Sequence, residues 1–234
     1  AHCSLSLVTG GCGSGRRGAS YLVRKAVMVE TLYYLKMRGP DKVTENTRKA
    51  AHSLRKTATT GLMRSINRTL ILNLIRHEGP IARSRIAREL GVSLPTVMRV
   101  VDELIKEDFV RILDALESTG GRPRSLLAFN GAAYAAVGVD LGGTKMFGTV
   151  ADLEGNILHE TYVPWQETGP DDSLEALCKL IGELLSLPRP HGQKMRGIGV
   201  GAPGVTLSQE GIVTWAPSLG WRDLPLKQIL SNRF

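Results

Sequence analysis

Asp140-Leu141-Gly142-Gly143-Thr144-Lys145 is the stretch whose reading decides the fold. It follows an apolar run, Ala135-Ala136-Val137-Gly138-Val139, that reads as a buried strand. The run from Met146 to Ala151 reads as a second strand. An acidic residue, two glycines, a hydroxyl and a lysine therefore sit in the tight turn of a β-hairpin. Adjacent glycines allow φ > 0 and let backbone N–H groups approach a ligand closely. Such a turn can hold phosphate oxygens, with Thr144 and Lys145 as added donors and Asp140 placed to hold a hydrated metal ion. An ordinary Gly-Gly hairpin carries the same two glycines, so the flanking sequence has to decide between the two.

Downstream of this hairpin, Ile157–Val163 can add a third strand. Residues 174–187 are amphipathic, with Leu177, Leu180, Ile181, Leu184 and Leu185 apolar. Met195–Val200 reads as a further buried strand. Strands followed by a helix and another strand suit an α/β layer.

Upstream, the pattern is different. Ile66, Leu70, Ile71, Leu74 and Ile75 follow helical spacing, and Gly79-Pro80 stops the helix. A short helix is expected over about 82–90, broken by Gly91. A third opens at Ser93, an N-cap residue type, with Pro95 in its first turn. Leu94, Val97, Val101 and Leu104 fall on one face of it. Residues 109–113 and 124–129 read as two strands joined by the loop 117–123. Three helices and a β-hairpin have the layout of a winged helix-turn-helix.

The spacing of Ala87, Gly91 and Val97 is the specific part: a small residue between two close helices, a glycine in the turn, and a β-branched core residue six positions on. The recognition helix is expected to expose Ser93, Thr96, Met98, Arg99 and Glu103. Arg99 can pair with a guanine edge and Thr96 can reach a base or a phosphate. Arg83, Ser84 and Arg85 begin the preceding helix, where an N-terminus and cations together suit a phosphate. Arg122 and Arg124 flank Pro123 at the wing tip. A plain three-helix bundle with a solvated arginine face is the rival reading. The cap, turn glycine, wing and basic tips in the expected order favour DNA binding.

Taken together, these stretches resemble the ROK family (repressors, open reading frames and sugar kinases), and most closely its transcriptional-regulator branch. The resemblance is carried by Ile66-Asn67-Arg68, by 80–87 with Leu94-Pro95-Thr96-Val97, by 118–123, by Gly138–Lys145 and by Gly197–Gly204. It implies a first lobe of the actin-like ATPase fold. Asp140, Gly142, Gly143, Thr144 and Lys145 match the phosphate loop, and Gly201, Pro203 and Gly204 match a loop beside the sugar site. Pro217-Ser218-Leu219 with Trp221 resembles the next sugar-site segment, although the family usually has Asn where Ser218 stands.

The fold expected is therefore an N-terminal, mainly-α winged helix-turn-helix joined to an α/β, sugar kinase-like first lobe. The domains expected are a basic extension over 1–62, disordered or foreign to the native protein, then 63–130 as DNA reader and 131–234 as a partial kinase-like domain. The function expected is a repressor-type regulator of sugar-utilisation genes. Its partners would be a duplex operator, a sugar or sugar-phosphate effector, and a second copy in a homodimer or higher homo-oligomer. The family's catalytic Asp and zinc site find no match before Phe234. No catalysis, metal or cofactor is expected here, and ATP with Mg only in a complete homologue. An ATP-dependent sugar kinase is the alternative.

Composition agrees with this division. The chain has 234 residues, 42% of them hydrophobic, and a net charge of +8. Residues 1–60 hold 11 Lys/Arg against 3 Asp/Glu, whereas 131–234 hold 8 against 11, so the basic character belongs to the N-terminal part. No apolar run approaches the ~20 residues that span a bilayer. Cys3, Cys12 and Cys178 are odd in number and lack metal spacing, as are the lone His77, His159 and His191, which points to a reduced cytoplasmic setting.

Overall fold

The computed structural model describes residues 4–9, 60–113, 125–164 and 169–234. They fall into two compact units, separated after Asn130 in sequence.

In the first unit, α1 (Thr60–Glu78) begins three residues ahead of Met63, where the sequence reading starts the domain. It buries Ile71, Leu74 and Ile75, and the Gly79 N–H closes its end on the Ile75 carbonyl at 2.9 Å. A two-residue strand, β2 (Ile81–Ala82), leads into α2 (Arg83–Leu90). Gly91 ends α2 in the left-handed region, φ 59° and ψ 36°, and its N–H bonds the Ala87 carbonyl. A Cβ at Gly91 would meet nothing within 4 Å, so the glycine is needed for its backbone angles and not for space. Helix α3 (Leu94–Lys106) then buries Val97, Val100, Val101 and Leu104.

That stripe corrects one expectation. Leu94 was placed on the buried face, yet it is 43% exposed and Val100 takes its place. Positions 97, 100, 101 and 104 form a narrow ridge against α1 and α2. Leu94, in the first turn, stands outside the buried cluster of this unit. Strands β3 (Val110–Leu113) and β4 (Leu126–Phe129) pair antiparallel, and β2 adds to the outer side of β4. Arg64–Glu103 and Arg68–Glu107, both at 2.6 Å, link α1 to the region of α3. Such exposed pairs contribute little, and the apolar cluster carries the stability.

The second unit is built on β5 (Tyr134–Leu141), β6 (Lys145–Asp152) and β7 (Ile157–Pro164), an antiparallel meander. Helix α4 (Pro170–Ser186) follows, and β8 (Lys194–Ala202) returns parallel to β5. Strand β5 is buried along nearly its whole length, the pattern of a strand covered on both faces. Helix α4 sets Leu177, Leu180, Ile181 and Leu184 against the sheet. It comes close because β6 has Gly148, where a Cβ would lie 2.7 Å from Leu184 Cδ1.

Two features of this unit go beyond the sequence reading. Residues 1–62 were read as disordered or foreign, yet Ser4–Thr9 form a strand, β1, parallel to β8 in register Ser4↔Gly197 to Thr9↔Ala202. The sheet order is β1-β8-β5-β6-β7. Without β1 that edge of β8 would present unpaired backbone groups. Residues 10–59 of that extension lie outside the described residues. After β8 come β9 (Val205–Leu207), β10 (Ile212–Ala216) and β11 (Trp221–Leu224), a second antiparallel sheet in the order β11-β10-β9, and then α5 (Leu226–Arg233). Among the described residues no helix is long and apolar enough to cross a membrane.

Candidate DNA-reading helix and ligand loops

The turn at Gly91 fixes the direction of α3, and burial of its inner ridge leaves the opposite face to solvent. Met98, Arg99 and Asp102 are exposed on that face, and Thr96 is half-buried. Ser93 occupies the N-cap with φ −61° and ψ 143°, but its side chain caps no helix N–H. Its Oγ instead shares a 2.8 Å hydrogen bond with Thr96 Oγ1. Glu103 was expected to face DNA. It is half-buried and accepts from Arg64 Nη2 at 2.6 Å, so it ties α3 to α1. Arg83, at the start of α2, donates from Nη1 to Ser125 Oγ at 3.3 Å, and its Nη2 lies 3.5 Å from Asp102 Oδ1. Ser84 is exposed beside it. Arg85 is engaged by both Glu78 and Glu89. The wing residues Arg122 and Arg124 lie outside the described residues.

In the second unit the hairpin turn, the end of β8 and the 3₁₀ turn Pro217–Leu219 come together. Parallel pairing sets Asp140 opposite Gly201, so the loops leaving β5 and β8 start side by side. Here β5 has an antiparallel neighbour, β6, on one side and a parallel one, β8, on the other. The Gly142 N–H closes the turn on the Lys145 carbonyl at 2.8 Å. Neither Gly142 nor Gly143 has a positive φ, which corrects the reason given for them. They are there for space. A Cβ on Gly142 would come 3.0 Å from the Lys145 carbonyl oxygen, and one on Gly143 would come 3.3 Å from Ser218 Cβ. Thr144 is exposed, and Lys145 Nζ lies 6.0 Å from the centre of the Phe147 ring.

Asp140 differs from the other buried carboxylate of this sheet. Asp152 is satisfied: its Oδ1 accepts from the N–H groups of Glu154 and Asn156, both at 2.9 Å, and its Oδ2 from Asn156 Nδ2 at 2.8 Å. The Asp140 carboxylate accepts no hydrogen bond among the described residues. Its half-burial pushes its pKa up, and Lys145 only partly opposes that. A carboxyl raised above its unfolded value near 3.9 holds its proton longer in the folded state. Its destabilising effect is absent below the unfolded value and complete above the folded one. Asp140→Asn is therefore expected to raise the melting temperature at pH 7, with the gain fading as pH falls toward 4. Thermal melts of both proteins between pH 4 and 7.5 check this, and a gain independent of pH would refute it.

Pro203 and Gly204 form the turn between β8 and β9. Gly204 has φ 85°, and a Cβ there would fall 2.0 Å from the Trp215 carbonyl oxygen. Trp221, grouped by sequence with the sugar-site segment, is buried. Its Nε1 donates to Ser173 Oγ at 2.7 Å and to the Pro170 carbonyl at 3.1 Å. It pins the 3₁₀ turn to the start of α4 and does not line the loops. His159 Nε2 is 2.7 Å from the Pro188 carbonyl, and no cluster of three or more metal-ligating side chains occurs among the described residues.

Residues 136–234 match the ROK family, and 64–111 match winged helix-turn-helix DNA-binding domains. The chain joins a winged helix-turn-helix to a ROK-family domain. It is 30% identical to the xylose repressor of Bacillus subtilis strain 168, over 74% of this chain and 44% of that protein. It is 32% identical to the xylose repressor of Caldicellulosiruptor bescii, over 74% and 44%. It is 25% identical to the N-acetylglucosamine repressor of Escherichia coli O6:H1, over 74% and 43%. The chain thus spans less than half the length of these curated relatives. Among solved structures, a ROK family transcriptional regulator homologous to the E. coli MLC protein superposes with a TM-score of 0.64 at 24% identity, over 73% of this chain and 43% of that one. That similarity supports the fold seen here.

Proposed function

We propose that this ROK-family chain is a DNA-binding transcriptional repressor of sugar-utilisation genes that reads its operator with α3 and answers to a sugar through the loops around Asp140. The observation that carries the reading is the left-handed turn at Gly91, which sends α3 outward with Arg99 exposed on its solvent face. Arg83 and Ser84 at the start of α2, Ser93 and Thr96 at the start of α3, and the wing residues Arg122 and Arg124 would hold phosphates or base edges. The ROK-family chain would bind a two-fold operator as a dimer, because two recognition helices then meet two half-sites.

The sugar site would be formed by Gly201, Pro203, Gly204 and Ser218, with the amide of Gly143, Thr144 and Lys145 facing any phosphate, while the Gly142 N–H holds the turn closed. The names of the relatives make xylose and N-acetylglucosamine, free and phosphorylated, the first effectors to try. DNA fragments upstream of sugar-use genes should be retarded by the chain and released by one of these sugars. Binding should weaken steeply with salt as phosphate contacts release counterions. Arg99→Ala is expected to weaken specific binding by about 1–3 kcal/mol and to relax preference at one base pair. Equal loss on all sequences would instead assign Arg99 to the backbone.

The ATP-dependent sugar kinase reading rests on the intact 140–145 turn. Against it, the same chain carries a winged helix-turn-helix, and the curated relatives it matches are named as repressors. A coupled ATPase assay with a hexose panel separates the two. Turnover abolished by Asp140→Ala would establish the enzyme.

A further inference from the structure

The first two turns of α3 carry an apolar pair that the core does not use. Leu94 is 43% exposed and Met98 is 48% exposed. They stand four residues apart, so they adjoin on the helix surface, with exposed Arg99 next to Met98. The remaining aliphatic residues of α3 are turned inward, with Val97, Val100, Val101 and Leu104 fully buried and Ile105 packed against the same cluster. Four buried residues already complete the inner ridge, so removing Leu94 or Met98 opens no cavity.

In a helix-turn-helix the N-terminal part of the second helix meets base edges in the major groove. The major groove offers hydrogen-bonding groups and one apolar group, the C5-methyl of thymine. Leu94 and Met98 have no hydrogen bond to give a base, but each can cover a methyl group. Ser93 and Thr96 on the same end share a hydrogen bond and keep further hydroxyl capacity for DNA, whereas Leu94 and Met98 are the apolar groups of this surface.

We propose that Leu94 and Met98 read thymine methyl groups, so that the operator carries thymine at fixed positions beside the base pair contacted by Arg99. The inference rests on the reading of α3 as the recognition helix and adds the base class it prefers.

The test starts from a pool of randomised duplex DNA, from which the full chain selects its sites. Each thymine of a selected duplex is then replaced by deoxyuridine, which removes the methyl group alone. At one or two positions the affinity should fall about fourfold, the worth of one buried methyl group. Leu94→Ala or Met98→Ala should bind the thymine and uridine duplexes equally at its own position, with the salt dependence unchanged. Met98→Leu should restore the difference. The proposal is overturned if no uridine substitution weakens binding. It is also overturned if the alanine variants lose the same affinity on both duplexes, or if they alter oligomeric state and not base preference. A pool that yields no enriched sequence overturns the DNA-binding reading itself, a result distinct from the loss of methyl sensitivity alone.

Discussion

Gly204→Ala is expected to destabilise the ROK-family unit by about 2–4 kcal/mol. Two effects add. The backbone at Gly204 has φ 85°, which L-residues avoid by roughly 1–2 kcal/mol. The added methyl would also fall 2.0 Å from the Trp215 carbonyl oxygen, and that oxygen belongs to β10 and cannot rotate away. Shifting β10 would disturb its pairing with both β9 and β11. Gly192→Ala is the matching control: its φ is 64°, but a Cβ there meets nothing within 4 Å. Urea denaturation of the two variants should show Gly204→Ala clearly the less stable. Equal losses would mean that the approach of the two backbones is not what demands glycine. A domain stable by ~5–15 kcal/mol feels such a loss strongly, and the loop beside the proposed sugar site should lose its shape first.

Leu104→Ala is expected to cost about 2–5 kcal/mol in the DNA-reading unit. Leu104 is fully buried in the cluster of Ile71, Leu74, Ile75, Ile86, Val97 and Val101, where α1, α2 and α3 meet. Truncation leaves a cavity lined by residues of all three helices, which cannot close without moving α3. The same change at Leu94, in the same helix, should alter stability by no more than ~0.5 kcal/mol, because that side chain is half in solvent. The contrast matters for the DNA readouts. Leu104→Ala should weaken binding through the fraction unfolded, so cooling or stabilising osmolyte should recover it. Loss at Leu94 should not respond to either. A Leu104→Ala protein as stable as the parent would show that the three-helix cluster is not the core of this unit.

Much of the DNA-reading unit was legible in the sequence because its signals are local. Gly91 ends one helix through its own backbone freedom, and the spacing of Ile71, Leu74 and Ile75 marks a buried stripe without reference to any partner. The order of strands β5 to β8 was legible for a similar reason: β5, β6 and β8 contain apolar runs, and β7 mixes apolar and polar residues. Where local signals thinned, the reading missed. Strand β1 shows a period of two in Ser4-Leu5-Ser6-Leu7, but its partner is β8, nearly two hundred positions away. Strands β9 to β11 are three to five residues long and mix apolar with polar residues, so no window of sequence marks them.

The candidate site divides the same way. The sequence by itself marked the candidate residues: the Asp140–Lys145 turn, the Gly201–Gly204 loop, and the basic and hydroxyl residues around α2 and α3. It could do so because residue type and spacing are properties of the chain. Only the tertiary structure decided what each of them is free to do. Pairing of β5 with β8 set Asp140 beside Gly201, and the near contact of Gly143 with Ser218 gave the paired glycines a reason different from the one read in the sequence. Burial turned Trp221 inward, an ion pair bound Glu103 to Arg64, and the packing of α3 through its inner ridge left Leu94 exposed with Met98. Exposure and partnership arise from residues far apart in the chain meeting in space, and no local pattern encodes them.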